Sequence, residues 1–200
     1  MDRALILVDI QNDFLPTGAL PVPDGDAVIS FANELASEFE LVVASQDWHP
    51  ANHGSFASNQ VGHEPGDIIQ LHGVDQVLWP DHCVQGTEGA DFAPGLEMDR
   101  VAAIFQKGTN PRVDSYSAFF DNEHRSATGM GSYLLEQGVK TVVVCGLATD
   151  YCVKFTALDA VALGFETILV PDACRGVGLN PGDVAQAIAD MRAAGVQIGR

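Results

Sequence analysis

Five short apolar runs punctuate the chain, at residues 4–8, 41–44, 101–105, 141–145 and 167–170. They show little apolar–polar alternation, the pattern of strands buried on both faces of a parallel sheet. Between them, apolar residues recur at helical spacing over about 26–39, 129–138, 150–163 and 182–194. Asn180-Pro181 reads as an N-cap and first-turn proline for the last of these helices. Gly138 and Gly164 stand where the second and third should stop. Residues 196–198 predict a short final strand. Strands alternating with helices predict a three-layer α/β/α fold around a mainly parallel sheet. With no internal repeat, low-complexity tract or linker, residues 1–200 are expected to form a single domain.

One stretch breaks this rhythm. Residues 46–100 carry little periodicity beyond a short strand pattern at 68–71, yet they contain both tryptophans. Loops this long inside a compact domain are usually functional. An ordered excursion over the sheet is expected, above the carboxyl ends of the strands where open α/β sheets bind ligands. Asp9, Gln46-Asp47, Lys107 and Gly146-Leu147 all fall at such ends.

Composition narrows the partners. Ten Lys and Arg against 27 Asp and Glu give a formal charge of −17. Such a surface repels phosphate backbones, so nucleic acid and anionic membranes are poor candidates. No apolar run approaches the ~20 residues of a membrane span. The run at 4–8 is too short for a secretory signal and ends at Asp9. Four cysteines without framework spacing predict reduced thiols and a cytoplasmic protein. A homo-oligomer stays open.

Histidine gives the first chemical signal. Five of the six (His49, His53, His63, His72, His82) lie between 49 and 82. In Asp47-Trp48-His49, residues i and i+2 of an extended strand end point the same way, so a carboxylate and an imidazole can share one divalent ion. A third ligand would come from His53 or His82. Such a donor set suits zinc, iron or manganese. The ordinary alternative is histidines that merely hydrogen-bond loop backbone.

Cys152 gives the second signal. The chain leaves a strand at Gly146 and is predicted to enter a helix with Thr149 or Asp150 as N-cap. Cys152 then sits in the first turn, where the dipole favours a thiolate. Cys145 and Cys174 read as small buried hydrophobes. Asp9, desolvated at a strand end, suits a general base. Lys107 ends another strand and could hold Asp9 ionised. A base, a cation and a thiol on neighbouring strand ends are what nucleophilic acyl transfer requires.

At these residues the chain resembles the nicotinamidases (pyrazinamidases) of the isochorismatase-like hydrolase superfamily. The matching stretches are Asp9-Ile-Gln-Asn-Asp-Phe14, Asp47-Trp-His-Pro-Ala-Asn-His53, Trp79-Pro-Asp-His-Cys-Val-Gln-Gly86, Phe105-Gln-Lys-Gly108 and Gly146-Leu-Ala-Thr-Asp-Tyr-Cys152. They run in family order over nearly the whole chain. The resemblance implies a catalytic triad of Asp9, Lys107 and Cys152, and metal ligands Asp47, His49 and His82. His53 occupies a position that ligates directly in only some members. Phe14, Trp79 and Tyr116 match aromatic positions that wall the substrate ring. A cis peptide at Leu147-Ala148 and an oxyanion hole from the N–H groups of Ala148 and Cys152 are implied as well.

The implied activity is hydrolysis of nicotinamide to nicotinate and ammonia through a cysteine thioester, feeding NAD salvage. A divalent ion, zinc first and iron or manganese next, would hold the pyridine nitrogen. Two alternatives stand beside it. An N-carbamoyl amidase would share the triad without needing a metal to read a ring nitrogen. A non-catalytic metal or redox protein would bind metal and keep an ordinary thiol.

Overall fold

The computed structural model describes residues 2–199. Six strands form one parallel sheet in the order β5-β2-β1-β6-β7-β8. They are β1 (Arg3–Val8), β2 (Val42–Asp47), β5 (Val101–Lys107), β6 (Thr141–Leu147), β7 (Glu166–Arg175) and β8 (Gln197–Ile198). The central strands β1, β2 and β6 are almost wholly buried, as their continuous apolar runs require. The helices are α1 (Val28–Ser37), α2 (Met130–Glu136), α3 (Lys154–Ala162) and α4 (Asp183–Ala193). The architecture is α/β, a mainly parallel sheet flanked by helices.

From β1 the chain steps by α1 to β2, on one side. From β6 it steps by α3 and α4 to β7 and β8, on the other. Right-handed crossovers then place α1 on the opposite face from α3 and α4. The winding reverses between β1 and β6, so the crevice for a ligand opens above the carboxyl ends of these two strands. Asp9 follows β1 directly, and the segment leading to Cys152 leaves β6.

The long excursion is ordered. Its strand β3 (Ile68–Leu71) pairs antiparallel with β4 (Val74–Val77), an element the sequence pattern did not predict. His72 and Gly73 turn this hairpin at φ of 50° and 94°. Among the described residues no helix is long and apolar enough to cross a membrane.

Several local expectations need correction. β5 is an edge strand that alternates half-buried with exposed residues, so only one of its faces is covered. The third helix begins later than expected: residues Thr149–Val153 form a π-helical turn and α3 starts at Lys154. Neither Thr149 nor Asp150 caps it; Asp150 turns its carboxylate to the N–H groups of Val177 and Gly178, at 2.9 and 2.8 Å. α4 starts at Asp183 after Gly182, and Asn180 lies upstream, donating its N–H to the Asp183 carboxylate. Gly138 and Gly164 do follow the ends of α2 and α3, both at positive φ.

Candidate active site

Because all six strands run the same way, their carboxyl ends share one rim. Asp47 and Lys107 are the last residues of β2 and β5 and lie opposite each other in register. Lys107 is only 2% exposed, which excludes a solvated surface lysine. Its Nζ lies 2.9 Å from Asp9 Oδ2 and 2.8 Å from Asp47 Oδ1. It also donates to the Ser115 carbonyl at 2.8 Å and approaches Cys152 Sγ at 3.4 Å. The structure thus brings Asp9, Lys107 and Cys152 together. The strand of Lys107 is not next to that of Asp9, however; β2 lies between them, and the lysine reaches across.

Burial disfavours the Lys107 ammonium, but Asp47 and Asp9 outweigh it and hold its pKa well above the usual lysine range. Asp9 is fully buried, and desolvation raises its carboxyl despite the opposing charge of Lys107. The Ser45 hydroxyl donates to Asp9 Oδ1 at 2.7 Å, whereas Oδ2 faces the Lys107 ammonium. Asp9 can still accept a proton, because burial favours its neutral form.

Cys152 departs from expectation. Burial pushes its thiol well above the ordinary value; Lys107 opposes this, while Asp9 and Asp47 add to it. The balance favours the protonated thiol, because desolvation and the two nearby carboxylates together exceed the pull of Lys107. Cys145 and Cys174 are buried with raised thiol pKa values, as inert core cysteines should be. All four cysteines are free.

Three donors converge beside this cluster. Asp47 Oδ2 lies 3.2 Å from His49 Nε2 and 3.6 Å from His82 Nε2. Ligands ~2.0–2.1 Å from one ion sit about 3.0–3.4 Å apart, so the set fits a divalent cation with little adjustment. His49 Nδ1 faces the Gly108 carbonyl at 3.0 Å and His82 Nδ1 the Pro80 carbonyl at 2.7 Å. Such second contacts orient ligating imidazoles. Burial works against Asp47 ionising, yet His49 and Lys107 hold its carboxyl well below the usual range. Asp47 itself is fixed by Gln11, whose side chain accepts from its N–H at 2.8 Å and donates to its carbonyl at 2.9 Å.

Of the remaining clustered histidines, His53 is buried and its ring lies tilted against that of His49, with centroids 4.4 Å apart. Burial pushes its pKa down to about 4. His63 and His72 stand apart, the first beside exposed Asp67 and the second in the hairpin turn.

A small pocket opens beside the thiol, with Asp47 and His82 on its wall. Phe14, Trp79 and Tyr116 all line it, as do Ala148 and Cys152. The Tyr116 hydroxyl accepts from Trp79 Nε1 at 3.3 Å and from Gln76 Nε2 at 3.2 Å, which ties the aromatic wall to the hairpin. Sequence reasoning missed Leu20, Asp114, Tyr151 and Val177 on this wall. Tyr151 adjoins the candidate nucleophile and packs edge-on to Trp79 at 4.9 Å, so its neighbour was a usable signal. Asp114 and Val177 sit in segments with no pattern of their own. The Leu147-Ala148 peptide is cis.

The Isochorismatase domain family matches residues 3–200. A nicotinamidase of Escherichia coli is 54% identical over 200 residues, covering 98% of this chain and 93% of that protein. The solved nicotinamidase/pyrazinamidase of Acinetobacter baumanii superposes with a TM-score of 0.96 at 48% identity, covering 100% of this chain and 96% of that one. A pyrazinamidase of Pyrococcus horikoshii, solved in complex with zinc, gives 0.81 at 41% identity, with 100% and 99% covered. Sequence, fold and site geometry lead to one assignment: the chain belongs to the isochorismatase family, in its nicotinamidase branch.

Proposed function

We propose that the chain hydrolyses nicotinamide to nicotinate and ammonia, with Cys152 as nucleophile, Asp9 as proton carrier and Lys107 as their electrostatic partner. The observation that carries this reading is the Lys107 ammonium, held between two buried carboxylates and 3.4 Å from a buried thiol beside an aromatic cavity. A thiol raised by burial is a weak nucleophile until a base removes its proton, and Asp9, whose own carboxyl burial raises, supplies that base.

Asp9 takes the Cys152 proton as sulfur attacks the carboxamide carbon. The N–H groups of Ala148 and Cys152 receive the oxyanion; loss of one such donor typically costs about 3–4 kcal/mol. Asp9 returns its proton to the departing nitrogen, releasing ammonia and leaving a thioester on Cys152. It next deprotonates the attacking water, and the collapsing intermediate releases nicotinate. The sulfur then recovers its proton from Asp9, restoring the resting state. Lys107 keeps its charge throughout, so Asp9 and sulfur can exchange a proton beside a fixed cation.

Asp47, His49 and His82 would hold a divalent ion, zinc by the ligand set and by the zinc-bound relative, with iron and manganese as alternatives. Such an ion would supply a Lewis-acid contact for the ring nitrogen. Phe14, Trp79 and Tyr116 exclude water and hold the ring flat. The four free cysteines fit a reducing cytoplasm, and the product suits NAD salvage.

The test is acid quenching of turnover on nicotinamide followed by peptide mass analysis. A nicotinoyl adduct on the peptide containing Cys152, lost on hydroxylamine treatment, supports the thioester. Steady turnover with no acyl adduct in the quenched enzyme, and no hydroxamate when hydroxylamine is present, argues against it. Turnover of N-carbamoyl amides in preference to nicotinamide would favour the other branch of chemistry.

A further inference from the structure

Three buried histidines lie in or beside the proposed metal centre, and they differ in which ring nitrogen can offer a lone pair. His49 and His82 each turn Nδ1 to a carbonyl oxygen. A carbonyl only accepts, so both carry the proton on Nδ1 and present a lone pair at Nε2. At His53 the arrangement is reversed. The backbone N–H of Ser55 donates to His53 Nδ1 at 3.2 Å, with the Ser55 hydroxyl 2.7 Å from the same atom. Nδ1 therefore holds the lone pair and the neutral ring carries its proton on Nε2. That Nε2 is buried and has no hydrogen-bond partner among the described residues. A protonated ring nitrogen cannot ligate a cation; it can only donate.

Asp114 is the group that matches this donor. It lines the cavity and is 3% exposed, and one ligating atom each from His49, His53 and Asp114 lie within 4.8 Å of one another. Gln76 Nε2 donates to its Oδ2 at 3.1 Å and the Ser115 N–H to its Oδ1 at 2.8 Å, so the carboxylate is held in place. Formal charge gives it a purpose. Asp9, Asp47 and Asp114 bring three negative charges against the single positive charge of Lys107, and all four are buried. With neutral imidazoles the sum is −2, which a divalent ion cancels. Asp47 alone cannot do this, since Lys107 already shares it at 2.8 Å.

We propose that His53 and Asp114 are positioning residues of the metal centre rather than ligands: His53 faces the ion's solvent as an N–H donor, and Asp114 is the outer carboxylate that balances the ion's charge. Gln76, from the β3–β4 hairpin, links this carboxylate to the Tyr116 wall, so the hairpin supports both metal affinity and ring binding. The inference rests on the metal reading of Asp47, His49 and His82.

The test is zinc affinity, measured by competition with a chromophoric chelator, for the wild-type chain and for Asp114→Asn, His53→Gln and His53→Leu. Outer partners typically contribute about 10- to 100-fold in metal affinity. Asp114→Asn and His53→Leu should weaken binding by that amount and still bind one ion per chain at saturation. His53→Gln, which keeps an N–H donor, should bind within a few-fold of wild type. X-ray absorption on the zinc-loaded wild-type chain should count two imidazoles, a readout independent of whether any variant folds. Three imidazoles, or unchanged affinity in folded Asp114→Asn, would overturn the assignment. A wild-type chain that takes up no divalent ion would instead remove the metal reading, and this inference with it.

Discussion

Asp47 and Lys107, the terminal residues of two neighbouring strands, meet at 2.8 Å in direct register. The other oxygen of Asp47 faces His49 and His82 at 3.2 and 3.6 Å, while the lysine reaches Asp9 and Cys152. One carboxylate therefore joins the proposed metal centre to the proposed triad. Moving either strand end would disturb substrate positioning and the nucleophile together.

Replacing Lys107 by Met should damage the fold as well as the reaction. Both Asp9 and Asp47 would lose their buried cation, and breaking such a pair typically costs about 3–5 kcal/mol. Urea denaturation should show this loss in the midpoint. A variant of wild-type stability would mean the carboxylates are protonated or solvated at rest.

Cys152→Ala should lower turnover at least ~10⁴-fold, the scale seen when a covalent nucleophile is removed. Its zinc content should equal that of wild type, because sulfur is not among the ligands. Loss of zinc in parallel with turnover would place Cys152 in the metal centre.

Gly108 has φ of 66°, and a Cβ there would run into the His49 ring that its own carbonyl orients. Gly108→Ala should therefore reduce bound metal per chain, read by elemental analysis, and weaken nicotinamide binding. Wild-type metal content would show that His49 can be moved without loss of the ion.

The Asp9 carboxyl is raised above 3.8 by burial, which separates activity from stability in acid. Catalysis needs the ionised base, so kcat/KM should fall as pH drops through this raised value. Stability has the opposite sign. The folded protein holds the Asp9 proton more tightly than the unfolded chain, so this contribution is full below the unfolded value and lost as pH rises through the folded one. Asp9→Asn should accordingly gain stability relative to wild type as pH rises from the ordinary carboxyl value toward neutrality. A constant difference across that range would show that Asp9 has no raised pKa in the fold.

Much of this was legible in the sequence, for physical reasons. Continuous apolar runs mark the buried strands, because both faces of a central parallel strand meet other residues. Strand ends then locate Asp9, Asp47 and Lys107. The same rule misled at β5, where an apolar run leaves Ile104 48% exposed at a sheet edge. Cys152 was expected in the first turn of a helix but lies in the π-helical turn before α3, where carboxylates at the ends of β1 and β2 oppose its ionisation. Gln11, Gln76 and Asp114 were invisible, since each acts through partners 36 or more residues away.

The most direct test of the whole account is ammonia release from nicotinamide by the purified chain, before and after exhaustive chelation, with the metal content of both samples measured. The account predicts release that falls with the metal and returns when zinc, iron or manganese is restored. No release from a folded, metal-loaded chain would contradict it.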